Sequence, residues 1–375
     1  MTNSLLWKGG ITSGRGAEKE LGEDFYLYES CRSAIYSFSM FQIRQGRVDV
    51  YVASFTCDAV IDALKDSGAR IRFYELDIDF NVQVESILES SIDPDREWVL
   101  WQCTMGHLGD HNGSIKRLRD RNMMVFGDLA LSFGSLVSDK AYVDIFDGAF
   151  VSFECSKLLS AGWGGGFFYR SKPYKEYYEM LNSVAAMSSF LRYIQERFCF
   201  YYHSRFDCNS SVHAMFDLLR KGLTLFNLFR RSAESNNPTN IGLKIGFLQE
   251  RSILMLLHDL ENRRRLEVNK SYEEVYGYAQ KYGIITPKMM ESVTYCTPRF
   301  PFYVECGKVE EAIDCSKSLG IVVGDWFQNN NTFSELIFTR NKKKYVCMNL
   351  SLIRLSDKTL KSYDVFFNKI ASSAI

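Results

Sequence analysis

"VSFECSKLLSAGWGGG", residues 151–166, places one lysine between a short apolar run and a cluster of glycines. The run at residues 148–153, GAFVSF, predicts a buried strand. Lys157 follows the end of that strand. Glycine allows backbone turns and close approaches that other residues resist. The stretch therefore predicts a sheet edge at which an ammonium group meets a tightly packed loop.

The segments before this stretch alternate between strand and helix patterns. β-rich runs and helical apolar spacings follow one another at residues 48–55, 57–68, 70–79, 81–92, 97–103, 112–121, 122–128 and 148–154. Strands separated by helices indicate a mainly parallel sheet sandwiched by helices. Ligands of such sheets bind beyond the carboxyl ends of the strands, which is where Asp128 and Lys157 lie.

The pattern changes after residue 166. Residues 174–232 predict long helices rich in aromatic and basic side chains, and turn formers dominate SAESNNPTN at 232–240. The tail predicts a few helices and a partly antiparallel sheet. We therefore expect an α/β protein with a large domain at residues 1–240 and a smaller C-terminal α/β domain at residues 241–375.

Composition argues against several classes of protein. The 375 residues contain 45 Lys and Arg and 45 Asp and Glu, so no basic surface indicates a nucleic-acid partner. No apolar stretch reaches the roughly 20 residues that span a bilayer, and the N-terminus does not resemble a signal peptide. The 10 cysteines include no CxxC pair, which argues against a zinc module or a disulfide framework. We expect a cytoplasmic protein.

Three elements could meet at one edge of the predicted sheet. Asp128 ends one strand, and Lys157 follows another strand that contains Ser152. The segment ESCRSAIYSF, residues 29–38, opens a helix with Cys31, Arg32 and Ser33. A helix N-terminus offers free N–H groups and a positive dipole end, which suits a phosphate, and Arg32 would add charge.

An aldehyde cofactor with a phosphate and a pyridine nitrogen would use all three elements. Lysine forms a Schiff base with an aldehyde. An aspartate beside the pyridine nitrogen keeps that nitrogen protonated, so that the ring withdraws electrons from the substrate carbon. The pattern predicts pyridoxal 5'-phosphate (PLP) chemistry.

The block at residues 125–166 resembles the fold-type I, PLP-dependent sugar aminotransferases of the DegT/StrS type. Members carry an aspartate at a strand end, a serine-phenylalanine pair, the Schiff-base lysine and a glycine pair. Those positions fall here on Asp128, Ser152-Phe153, Lys157 and Gly164-Gly165. The resemblance implies that Lys157 is the catalytic lysine and that Asp128, Ser152, Cys31, Arg32, Ser33 and Cys57 bind the cofactor.

Several positions depart from the family pattern. Cys57 stands where the residue that stacks on the cofactor ring is usually aromatic. Leu131 stands where glutamine or histidine is usual, and Arg32 replaces a threonine of the phosphate loop. The partner subunit's expected Asn and Arg fall ambiguously across residues 235–237. Lys157 itself is kept, whereas dehydratases of the family carry histidine there.

The resemblance implies an aminotransferase with a ping-pong mechanism. The amino donor would be L-glutamate and the acceptor a nucleotide-linked keto-sugar, in a pathway to a polysaccharide or a glycosylated metabolite. A homodimer would share its active sites. Two alternatives stay open: another PLP-dependent reaction on a substrate that is not a nucleotide sugar, and a non-catalytic protein that keeps the fold.

Each candidate also has a simpler interpretation. Lys157 alone could be a solvated loop lysine, Asp128 a helix cap, and Arg32 and Ser33 ordinary first-turn residues. His107 and His111 lie four apart, as zinc ligands on a helix do, but the neighbouring glycines favour a loop, so we expect no metal site. Trp163 and Trp326 could stack on a sugar or pack in the core.

Overall fold

The computed structural model describes most of the chain. The described residues are 24–109, 111–154, 157–184, 186–187, 243–244, 249–253, 255, 265–324, 337–340, 343–352 and 355–372. The predicted loop at residues 232–240, most of the predicted helices at 174–232, and Trp326 lie outside these residues.

A large sheet organises the N-terminal part of the chain. The strands of this part are β1 (Phe25–Tyr28), β2 (Asp49–Ala53), β3 (Arg70–Tyr74), β4 (Glu97–Gln102), β5 (Met124–Asp128), β6 (Leu136–Val137), β7 (Lys140–Ala141), β8 (Gly148–Ser152) and β9 (Gly165–Tyr169). Seven of them form one sheet in the order β1-β9-β8-β5-β4-β2-β3. The strands from β3 to β8 in this order pair in parallel, whereas β9 pairs antiparallel with β8 and with β1. The predicted mainly parallel α/β sheet is confirmed.

Helices cover both faces of this sheet. They are α1 (Cys31–Arg44), α2 (Asp58–Ser67), α3 (Val84–Ser90), α4 (Asn112–Arg119) and α5 (Lys172–Val184). Successive residues of β2 enter different apolar clusters: Val50 and Val52 pack with Phe38 of α1, whereas Tyr51 and Ala53 belong to the cluster that includes α3 and α4. Successive strand side chains point to opposite faces, so two buried faces require apolar residues at every position.

The C-terminal part of the chain contains helices and a second sheet. Its elements are α6 (Arg265–Lys281), β12 (Val293–Thr294), β13 (Arg299–Glu305), α7 (Val309–Ser318), β14 (Val323–Gly324), β15 (Ile337–Arg340), β16 (Lys343–Ser351) and α8 (Asp357–Ser372), and they follow the short parallel pair β10 (Ala186–Met187) and β11 (Leu243–Lys244). Strands β13, β14 and β15 all pair antiparallel with β16, so the described part of this sheet is antiparallel throughout. Strand β12 pairs with β6 of the N-terminal part. The proposed division at residue 240 stays a prediction.

Two strands of the large sheet, β1 and β9, are not predicted by the sequence pattern. Strand β9 begins inside the glycine cluster, at Gly165, which the sequence pattern assigns to a loop. Glycine disfavours strands on its own because it has no side chain to pack and loses much conformational freedom. Here tertiary contacts override that tendency, because β9 lies between β1 and β8 and has no room for larger side chains at its start.

Candidate active site

A cavity of about 410 Å³ opens beyond the carboxyl ends of β4, β5 and β8, beside the first turns of α1 and α2. Six of the seven candidate residues line it: Cys31, Arg32, Cys57, Asp128, Ser152 and Lys157. These residues are up to 126 positions apart in the sequence (157 − 31), and the parallel strand order brings them together. The edge of the sheet at which they meet is where ligands of such folds bind.

The first turn of α1 forms one wall of the cavity. Ser30 is the N-cap, and its Oγ accepts a hydrogen bond of 3.1 Å from the N–H of Ser33. The hydroxyl of Ser33 lies 2.9 Å from Ser30 Oγ. Ser33 is therefore engaged in capping the helix and is not among the lining residues, whereas Cys31 and Arg32 are.

Asp128 is the last residue of β5, and its side chain enters the cavity. Its Oδ1 accepts a hydrogen bond of 3.0 Å from the N–H of Ala130. Burial raises the pKa of Asp128 above its usual range, and the hydrogen bond from Ala130 and the charge of Lys157 oppose that rise. A cation brought next to this carboxylate would favour its ionised form.

Lys157 lies in a turn that follows β8. Its backbone N–H donates a hydrogen bond of 3.0 Å to the carbonyl of Glu154, and both residues line the cavity. The loop is closed behind them, because the N–H of Ala161 donates to the carbonyl of Phe153 at 2.9 Å. The lysine thus projects from a loop that is tied at its base.

The glycines after Lys157 bring this loop against the first turn of α1. Gly162 and Gly164 have φ values of +95° and +114°, which residues with a side chain rarely adopt. A Cβ on Gly165 would lie 2.1 Å from the backbone nitrogen of Cys31. The glycine cluster therefore serves the close approach of two backbone segments on either side of the cavity.

The two cavity thiols have environments that suppress their reactivity. Burial raises the pKa of both Cys31 and Cys57 above its usual range; Asp128 and Glu154 raise it further, whereas the charge of Lys157 opposes the rise. Both cysteines are therefore neutral thiols at physiological pH. Cys57 and Leu131, two of the departures from the family pattern, both line the cavity.

Other lining residues escaped the sequence interpretation, among them Asp58, Asp62, Gln102 and Glu154. Gln102 ends β4 directly opposite Asp128 in the strand register. Its Nε2 donates hydrogen bonds to the carbonyl of Phe55 at 2.8 Å and to Thr104 Oγ1 at 3.0 Å. The rule that strand ends form the site could have found Gln102, since that rule found Asp128.

The histidine pair lies in a different setting. His107 Nε2 lies 2.6 Å from the hydroxyl of Tyr272, and burial lowers the pKa of His107 to about 3. His111 Nδ1 lies 3.2 Å from the carbonyl of Gly109. Within the described residues, no group of three or more His, Cys, Asp or Glu side chains is placed to hold a metal ion. Trp163 is 1% exposed and is a core residue.

Similar proteins identify the family and the fold. Residues 29–210 match the model of the DegT/DnrJ/EryC1/StrS aminotransferase family. Residues 29–210 belong to this family. Its members are PLP-dependent aminotransferases, so the resemblance found in residues 125–166 is confirmed. Among curated proteins, no relative matches the sequence significantly.

Solved structures of other aminotransferases share the fold. The Streptococcus pneumoniae protein Spr1654 in its PLP form is 12% identical, with a TM-score of 0.66 over 94% of this chain and 88% of that one. The aminotransferase TlmJ from Streptoalloteichus hindustanus is 17% identical, with a TM-score of 0.65 over 94% and 87%. Helicobacter pylori PseC, an aminotransferase involved in the biosynthesis of pseudoaminic acid, is 11% identical, with a TM-score of 0.64 over 93% and 87%. At these identities the likeness establishes the fold, which is fold type I.

The cavity fits the family's cofactor in its donor set. A carboxylate and an amine lie in the same cavity as the N-terminal turn of a 14-residue helix and the guanidinium of Arg32. When bound, PLP supplies an aldehyde that takes up the lysine amine and a ring that withdraws electrons from the substrate carbon.

In the part of the chain that the structure describes, no helix has the length and apolar character needed to cross a membrane.

Proposed function

We propose that this protein transfers an amino group from L-glutamate to a nucleotide-linked keto-sugar. The observation that supports the proposal is the convergence of Asp128, Lys157, Ser152 and the first turn of α1 on one cavity. In this proposal Lys157 is the point of cofactor attachment, and the other lining candidates hold the cofactor in place. The product would enter a pathway to a polysaccharide or a glycosylated metabolite.

Asp128 would bind the protonated ring nitrogen of the cofactor. A buried carboxyl with a raised pKa gains most from a cationic partner, because the partner replaces the lost hydration of the carboxylate. Ala130 already holds Oδ1, so the hydrogen bond at 3.0 Å orients the carboxylate before the cofactor arrives. Ser152, on the neighbouring strand, would contribute a hydroxyl to the same side of the cavity.

The first turn of α1 would hold the phosphate. Backbone N–H groups and the dipole at a helix N-terminus favour an anion, and Arg32 adds a guanidinium. Ser33 would act indirectly, because its N–H and hydroxyl are engaged with Ser30. Cys57 would contact the ring as a small thiol in place of an aromatic side chain.

Lys157 Nζ would move the protons of the reaction. Once the donor's amine has displaced it, Nζ takes a proton from the donor's α-carbon, and it later returns one to the carbon of the acceptor's carbonyl. Over one cycle water would supply the oxygen of the keto acid that the donor becomes, the keto-sugar would gain the amino group, and its carbonyl oxygen would leave as water. We further propose a cytoplasmic homodimer whose subunits share their active sites, as the family resemblance implies.

The test is spectroscopic and uses the purified full-length protein. We expect a visible absorbance band after PLP is added, and we expect Lys157→Ala to abolish it without changing the thermal unfolding midpoint by more than a few degrees. Glutamate should bleach the band, and a nucleotide-linked keto-sugar should restore it. A wild-type protein that stays colourless with PLP would refute the proposal and favour a non-catalytic role.

A second candidate function is a different PLP-dependent reaction, on a substrate that is not a nucleotide sugar. The presence of both Cys57 and Leu131 on the cavity wall favours it, because both alter the surroundings of the cofactor ring. Screening keto-sugars with and without a nucleotide against the amine-loaded protein separates the two candidates. If no amino donor bleaches the band, the aminotransferase proposal fails and the second candidate gains.

A further inference from the structure

The side chain of Gln249, which does not line the cavity, is hydrogen-bonded to the loop that contains Lys157. Gln249 is fully buried, and its Nε2 donates hydrogen bonds to the carbonyl of Ala161 at 3.1 Å and to the carbonyl of Trp163 at 2.5 Å. The two carbonyls lie 88 and 86 residues earlier in the chain. Because a carbonyl can only accept, the amide nitrogen must face them. Both N–H groups of the side chain are thus used on one loop.

The two carbonyls that accept these hydrogen bonds, those of Ala161 and Trp163, lie on either side of one glycine. Gly162 lies between them with a φ of +95°, a backbone conformation that residues with a side chain rarely adopt. The same segment is tied to the end of β8, since Ala161 N–H donates to Phe153 and the backbone of Gly162 forms a bridge with Glu154. Gln249 therefore holds the far side of the loop from which Lys157 projects.

A displacement of residues 161–164 would move two parts of the cavity wall. In one direction the segment leads through Glu154 to Lys157, whose N–H donates to the Glu154 carbonyl. In the other direction it leads to Gly164 and the first turn of α1, because Gly164 forms a bridge with Ser30. Residues 161–164 are thus connected both to the turn that contains Lys157 and to the proposed phosphate site at the first turn of α1.

We propose that Gln249 is a positioning residue, which fixes Lys157 for attachment to the cofactor through hydrogen bonds to the carbonyls of Ala161 and Trp163. The proposal rests on the proposed function, because it concerns the role of Lys157 there. Glutamine suits the position because its amide supplies two donors at the end of a side chain with two methylene groups. Glutamate would place carboxylate oxygens against two carbonyl oxygens, and methionine would fill the space without donating.

The test compares Gln249→Met and Gln249→Glu with Asn349→Leu in the full chain. Asn349 is a matched control: it is fully buried, and its Nδ2 donates to the carbonyl of Gly324 at 3.0 Å in the C-terminal sheet. The measurements are the unfolding midpoint, the rate of PLP attachment to Lys157 by borohydride trapping and peptide mapping, and kcat and KM.

We expect the variants at residues 249 and 349 to lose stability to a similar extent. Only the Gln249 variants should slow attachment at Lys157 and lower kcat, by about tenfold to a hundredfold, with KM for the amino donor changed less than about twofold. If Gln249→Met attaches PLP and turns over like the wild type, or if Asn349→Leu is equally impaired, the positioning role is refuted. If the wild type itself forms no lysine adduct, both this inference and the proposed function fall.

Discussion

Two groups of buried or partly buried titratable side chains follow strands of the large sheet, and their surroundings differ. Asp128 and Lys157 line a cavity of about 410 Å³. His107 is 2% exposed, and its Nε2 lies 2.6 Å from the hydroxyl of Tyr272. The ring of Tyr272 in turn stacks on that of Tyr295, with centroids 4.4 Å apart. The first group borders open volume, and the second is packed.

Both groups contain a perturbed pKa, so the pKa alone does not separate a binding site from a core. Burial raises the pKa of Asp128 and lowers that of His107, and in both cases it disfavours the charged form. His107 already has its hydrogen-bond partner inside the core, and packing explains it. Asp128 faces a volume that a ligand can fill, together with an amine and a helix N-terminus. The open volume beside Asp128 is what distinguishes the binding site from the packed core around His107.

The largest effect is expected for Asp128→Asn. Under the proposed function this change removes the charge that keeps the ring nitrogen protonated, while the side chain keeps its shape. We expect kcat to fall by about 100- to 1,000-fold, the range for losing one preorganised electrostatic contact, with the visible band of bound PLP retained. The measurements are steady-state turnover and absorbance.

Asp144→Asn is the control for Asp128→Asn. Burial also raises the pKa of Asp144, but this residue does not line the cavity. It should leave kcat within about twofold of the wild type, because surface substitutions away from a site usually have small effects. Equal losses in the two variants would remove the distinction between a carboxyl that lines the cavity and one that lies elsewhere.

Gly165→Ala tests whether the glycine cluster shapes the cavity. The new Cβ would lie 2.1 Å from the backbone nitrogen of Cys31, so α1 and β9 must move apart. We expect a loss of about 2–3 kcal/mol in the free energy of unfolding, measured by urea denaturation, and weaker PLP binding. Gly113→Ala, in α4, has no heavy atom within 4 Å of the added Cβ and should be neutral or stabilising by about 0.5–1 kcal/mol. Similar losses in both variants would refute the close-approach interpretation.

These residues show which parts of the site sequence reasoning can reach. Asp128 and Lys157 line one cavity, as the alternation of strand and helix patterns predicts, because parallel strands end together. Gln102 was within reach by the same rule and was missed because a glutamine has no titratable group to attract notice.

Other features depend on contacts that no local pattern contains. Strand β9 begins with glycines whose own preference is for a loop, and it forms because β1 and β8 flank it. Gln249 meets its partners across 88 and 86 residues of chain, and the segment around it predicts only a helix. Ser33 looked like a cofactor ligand, but its N–H bonds to Ser30, a choice between cap and ligand that depends on the folded geometry.

A smaller effect is expected at His107, and it depends on pH. The folded-state pKa is about 3 against an ordinary value of 6.5, so between these values the unfolded chain binds the proton that the folded chain does not. Acid therefore favours unfolding through this group. Between pH 6.5 and pH 5, we expect the wild type to lose about 1.5 kcal/mol more stability than His107→Gln, measured by urea denaturation.

Tyr272→Phe is the control for His107. It removes the hydroxyl that lies 2.6 Å from His107 Nε2 but leaves the buried imidazole in place. We expect a loss of about 1 kcal/mol at both pH values, with the pH dependence kept. Neither variant should change the absorbance of bound PLP, since neither residue lines the cavity. A change in PLP binding would contradict the division between packed cluster and site.

The smallest effect is expected at Cys57, where the cavity departs from the family pattern. The thiol is half-buried at the start of α2 and lines the cavity, so a larger side chain has open volume to enter. An aromatic ring stacked on the cofactor contributes about 1 kcal/mol, so Cys57→Phe should tighten PLP binding by a factor of about five, measured by equilibrium titration. Cys57→Ser keeps the size and should leave the affinity unchanged. Weaker binding in Cys57→Phe would mean that the substrate or the cofactor itself needs the open volume. The difference from other family members would then lie in the shape of the cavity rather than in a lost contact.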